Sequence, residues 1–137
     1  MKKLLLIVLG CVPFAVGWAM NGLLAAVDFF WLVSLLFLLF WGWLGYLTHS
    51  WGRGRTVTAL IHVPAVLAMA ANLVQTLVFH RFYSDWTIHF FMPTLTFSAK
   101  LTRLLPYTPR VLREDSVVGV LLMIAVFWIG RRIARKR

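Results

Sequence analysis

The sequence predicts an all-α integral membrane protein: a four-transmembrane-helix bundle with an interfacial amphipathic helix in the long loop before the last span. Three observations carry that prediction. Of 137 residues, 61% are hydrophobic and only 13% are charged, against roughly 25% charged in ordinary soluble domains. Apolar runs of crossing length recur at about residues 4–26, 29–48, 56–79 and 116–133, and a helix needs ~20 residues to cross a hydrocarbon core of ~30 Å. The chain has 14 Lys and Arg against 4 Asp and Glu. The basic residues flank the apolar runs, which points to topology and anionic headgroups as partners and away from nucleic acid. The length asks for one domain, residues 1–137, and the single cysteine, Cys11, closes no internal disulfide.

The first run follows Lys2 and Lys3, as a secretory signal would. At about 23 residues it exceeds a usual signal core of roughly 7 to 15, and no small-x-small cleavage site precedes Asp28, so it reads as a retained helix. Val8-Leu9-Gly10-Cys11 has the outline of a lipid-attachment signal, but the apolar stretch from Leu4 to Leu9 before it is short for that purpose. Pro13 predicts a bend, and Gly10, Gly17 and Gly22 predict close helix contacts. The second run begins at Phe29, so only a tight turn holding Asp28 separates the two, and they form an antiparallel hairpin. Phe29, Phe30 and Trp31 at one end and Trp41, Trp43, Tyr46 and Trp51 at the other resemble aromatic belts. Gly42 and Gly45 are expected to face a neighbouring helix.

A connector from His49 to Arg55 holds Gly52 and Gly54 for the bend and Arg53 and Arg55 for lipid headgroups. In the third span Ala65, Ala68, Asn72 and Gln75 recur at steps of three and four, which places them on one face directed into the bundle. The uninterrupted apolar part of the fourth, Val117 to Ile129, would make only about 20 Å of helix. Snorkelling of Arg131 and Arg132 toward headgroups lengthens its buried part.

Charge distribution sets the threading. With the N-terminus in the cytoplasm, Lys2, Lys3, Arg53, Arg55 and the tail from Arg131 to Arg137 lie inside without a single acid. Asp28, Asp85, Glu114 and Asp115 all fall outside. The positive-inside rule therefore predicts a multi-pass inner-membrane protein with both termini cytoplasmic.

The outer loop, residues 80–115, carries Pro93, Pro106 and Pro109, which exclude one continuous helix. Thr96, Lys100 and Arg103 fall on one helical face, with Phe97, Leu101, Leu104 and Leu105 beside them. This spacing predicts a short amphipathic helix opened by Pro93, closed by Pro106 and lying on the outer leaflet, with Lys100 and Arg103 at headgroups. The alternative is a re-entrant dip of residues 90–105 into the bundle, tolerable only where the backbone is enclosed by protein or wetted. Tyr107 to Glu114 reads as an extended connector.

The candidate ligand site is an outward-facing polar pocket. Asn21, Asn72 and Gln75 fall at similar depth, with Asp28, His80, Asp85 and His89 above them. Buried amides are costly in lipid and mark function; the competing reading is interhelical glue worth roughly 0.6 to 2 kcal/mol. His80, Asp85 and His89 are ligand-capable types, but their spacing fits no metal motif, and His49, His62, His80 and His89 make a poor haem pair because most sit at span ends or in loops. No metal and no cofactor is expected. The apolar cores hold no Asp, Glu, Lys or Arg, so a proton-coupled carboxylate relay has no candidate. Phosphate-loop, paired-cysteine and nucleophile-elbow motifs are missing too. These features lead to a non-catalytic accessory or assembly subunit that binds another membrane protein or a second copy of itself. A small transporter, channel or lipid-handling protein using the outer pocket is the alternative, and an enzyme at that pocket comes third.

Overall fold

The computed structural model describes residues 2–23, 30–79, 85–104 and 114–136. Asp28, His80 and the stretch from Leu105 to Arg113 lie outside them. The described chain is all helical: α1 (Lys2–Leu9), α2 (Val12–Leu23), α3 (Phe30–Leu47), a 3-10 turn (Thr48–Trp51), α4 (Gly54–Leu77), α5 (Asp85–Arg103) and α6 (Asp115–Arg135). Four helical stretches are long and apolar enough to cross a membrane: Lys2–Gly22, Phe30–Trp51, Gly54–Leu77 and Asp115–Arg135.

The first stretch is broken where Pro13 predicted a bend. Proline has no N–H to give to the carbonyl one turn back, and the helix pauses at Gly10 and Cys11, where the Cys11 amide bonds the Val8 carbonyl at 3.0 Å. Gly10 at the break packs on the Ile61 carbonyl and the Pro64 ring, so α1 docks where α4 carries its own internal proline. Between the 3-10 turn and α4, Gly52 adopts φ 154°, a conformation essentially reserved for glycine.

The helices α3 and α6 cross backbone to backbone. A Cβ on Gly45 would overlap the Phe127 carbonyl, and one on Gly130 would overlap the Gly42 carbonyl. Beside this crossing Trp41, wholly buried, stacks on Phe37 at 5.6 Å and meets Phe127 at 6.1 Å. Ala65, Ala68 and Asn72 are at most 1% exposed, as the three-and-four spacing predicted. Gly10, Gly17, Gly42 and Gly45 are all taken up by contacts within the chain, whereas Gly22 faces open space.

The largest departure from expectation is α5. Its start lies eight residues before Pro93, which sits mid-helix, and from Thr87 to Ala99 no residue is exposed. It packs against α2, α3, α4 and α6, so it does not lie on the bundle's surface; it is the more polar helix enclosed by the apolar ones. Two features make this possible. Thr94, Ser98 and Thr102 donate their hydroxyls to the carbonyls of Phe91, Leu95 and Ala99 at 3.0, 3.2 and 3.0 Å, so each polar side chain is satisfied on its own helix. The His89 carbonyl, which loses its usual donor to Pro93, is covered by Gly17 of α2, which approaches so closely that no Cβ would fit. Gly119 of α6 likewise leaves room for Thr94, and Ser34 of α3 bonds Thr96 at 3.4 Å. Among the described side chains of α5, exposure is confined to its ends, at Trp86 in the first turn and at Lys100, Leu101 and Arg103 in the last, with Leu104 just beyond.

Candidate functional site

Of the residues expected to form an outer pocket, the described ones differ in their surroundings. Asn21 is exposed on α2, whereas Asn72 is wholly buried and donates from Nδ2 to Ser116 Oγ at 3.0 Å. That bond ties α4 to α6, which is the glue role. The Asn72 Oδ1 has no partner. Gln75 is half-buried. His89 is buried against α2, edge-on to Phe14 at 5.6 Å, with Nδ1 unpartnered. Asp85 opens α5, but its side chain, like Asp28 and His80, lies outside what is described. Among the described residues no group of three His, Cys, Asp or Glu could hold a metal ion.

Among the described residues a cavity lies elsewhere, between α4 and α6 at the end where α3 finishes and α4 begins. It encloses about 1060 Å³. Its wall is apolar, formed by Val63, Val66 and Leu67 of α4 and Ile124 and Trp128 of α6. Gly54, Arg55, Arg131, Arg132, Arg135 and Lys136 form the rim, and no acidic residue lines it among the described residues. Helical spacing builds both sides. Arg55, Ala59, His62 and Val66 follow at four, three and four residues along α4, and Ile124, Trp128, Arg132 and Lys136 at steps of four along α6.

These cations are not equivalent. Arg131 is 2% exposed, and its guanidinium donates to the carbonyls of Thr48 at 2.5 Å and of His49 and Gly52 at 3.0 and 3.2 Å. Those carbonyls belong to the 3-10 turn that continues α3 and to Gly52 just after it, the negative end of the helical stretch, so Arg131 acts as a capping cation rather than a headgroup ligand. Arg132 is exposed and lies over the Trp128 ring with its guanidinium carbon 5.0 Å from the ring centre, an attractive cation–π geometry. Arg55, Arg135 and Lys136 are exposed as well. Of the other residues expected at headgroups, Arg53 is exposed but off the rim, and Lys100 and Arg103 occupy the exposed end of α5.

His62 reaches the cavity from α4 with its ring already committed. The Trp41 indole N–H donates to Nε2 at 3.2 Å, and Nδ1 sits 2.7 Å from the Thr58 carbonyl. Indole is a donor only, so Nε2 must accept and Nδ1 must carry the proton. The imidazole is therefore held as one neutral tautomer with no free lone pair, unsuited to ligate a metal or take a proton from a substrate.

Sequence reading missed Arg135, Lys136 and Trp128 as site residues. The available signal was the step-of-four spacing near the end of α6, which puts an aromatic and cations on one face. Compared with known protein families, characterised proteins and solved structures, the chain finds no match.

Proposed function

We propose that this chain is a non-catalytic, multi-pass membrane protein that holds an anionic phospholipid in the groove between α4 and α6, on the cytoplasmic side favoured by its flanking charges. The observation that carries the reading is a cavity that joins an apolar wall to a rim of cations, with no acid among its described lining residues. An amphiphile fits that division. Its phosphate takes charge-assisted hydrogen bonds from the arginine forks, and its chains run along Val63, Val66, Leu67 and Ile124. Trp128 stands at the boundary between the two, where indole is favoured. Catalysis is disfavoured because the one imidazole in the lining, His62, is occupied at both nitrogens.

Lipid retention tests this. The full chain, purified in mild detergent, is expected to keep anionic phospholipid in preference to phosphatidylcholine. Val66→Trp, placed at a wall position 38% exposed, should fill the groove and release that lipid while circular dichroism and melting stay native. A folded Val66→Trp protein that retains as much anionic lipid as the parent would sink the reading.

A further inference from the structure

Resting on the groove as a lipid site, we infer that its occupant is a phospholipid whose headgroup carries two phosphate groups, as a diphosphatidyl lipid does, rather than one. Arg55 faces the groove from α4, and Arg132, Arg135 and Lys136 face it from α6. Among the described residues no Asp or Glu lines the groove. Residues 29–84 contain no acid, and Asp115 lies at the opposite end of α6, about 30 Å from Arg135 at 1.5 Å per residue.

The α6 cations also crowd one another. Arg132 is three residues from Arg135 and four from Lys136, the helical spacings at which like charges repel. Arg131 stands behind them with three of its bonds spent on carbonyls, adding fixed positive charge while offering little as a ligand. The charge spans both walls, because Arg135 reaches across to the start of α4: a Cβ on Gly54 would lie 2.9 Å from its Nη2. The first turn of α4 has no side-chain cap, so its amide groups add donors at the same place.

A single phosphodiester brings one negative charge to four lining cations, Arg55, Arg132, Arg135 and Lys136, and leaves most of their charge uncompensated. Two phosphates joined by a short linker bring two negative charges to the same four cations and to the uncapped amides at the start of α4. Basic pockets between membrane helices on the cytoplasmic side suit such headgroups. The volume of about 1060 Å³ stands at the upper end of small-ligand sites, roughly 300 to 1,000 Å³, and leaves room for a large headgroup.

The experiment is a competition on the full chain in mild detergent, with diphosphatidylglycerol, phosphatidylglycerol and phosphatidylcholine supplied at equal total phosphate and bound lipid counted by native mass spectrometry. Diphosphatidylglycerol is expected to be retained about tenfold over phosphatidylglycerol. The double variant Arg132→Gln/Arg135→Gln, altered only at exposed side chains, should bring that ratio close to one, and Lys3→Gln should leave it unchanged. Equal retention of the two anionic lipids, both above phosphatidylcholine, overturns the two-phosphate inference and leaves the groove reading standing. Retention of all three alike overturns the groove reading itself. A tenfold preference that survives the double variant places the two-phosphate site elsewhere and overturns the inference.

Discussion

Arg131 shows how far one side chain departs from what its position suggests. In a tail of five basic residues among its last seven positions, any arginine reads as a headgroup anchor worth little individually. Burial against three carbonyls changes its energetics, because truncation leaves the turn after α3 without its cap and the carbonyls without these donors. Arg131→Met is expected to destabilise the fold by about 2 to 4 kcal/mol, whereas Arg132→Met, at an exposed position, should cost under about 1 kcal/mol. Arg131→Lys should recover only part of the loss, since one ammonium cannot reproduce the planar fork. Unfolding in mixed mild detergent and dodecyl sulfate, followed by circular dichroism, measures all three. Similar midpoints for Arg131→Met and Arg132→Met would remove the capping role.

At the scale of elements, close approach of backbones decides the packing. The α3/α6 crossing has no room for side chains at Gly45 or Gly130, so Gly45→Val forces the helices apart and should cost about 1 to 3 kcal/mol, the usual penalty of overpacking. Gly22→Ala, in open space, is expected to be neutral or to gain up to about 1 kcal/mol from helix propensity. A neutral Gly45→Val in the same unfolding assay would contradict this packing. Much of this level was legible in advance. Apolar run lengths located the four long helices, Pro13 marked a break, and the spacing of Ala65, Ala68 and Asn72 identified a buried face. α5 was not legible, because a threonine or serine that bonds its own helix and one that faces water have the same sequence pattern. Lys100 and Arg103, exposed in the last turn, made the whole segment look wetter than it is. The groove was hidden for a different reason. Each wall is periodic in the sequence, but nothing local records that the Arg55 face of α4 and the Trp128 face of α6 oppose each other.

For the whole molecule, the distribution of charge makes a prediction about sidedness that is independent of any ligand. Reporter fusions after Arg137 should behave as cytoplasmic, fluorescent as green fluorescent protein and inactive as alkaline phosphatase, since all four acids fall in the opposite segments and the tail holds five basic residues and no acid. Active phosphatase at the C-terminus would reverse the threading and put the groove on the other face. The enclosed position of α5 then has a consequence for how the chain is made. A ribosome releases α5 before α6, yet the seat of α5 includes α6, through Gly119 against Thr94 and Asp115 against Thr102. Insertion machinery that sorts segments by apolarity would partition the four apolar helices into lipid and pass over the hydroxyl-rich fifth. Nascent chains ending near residue 104 would therefore have α5 without a complete seat, and its final docking would wait for α6.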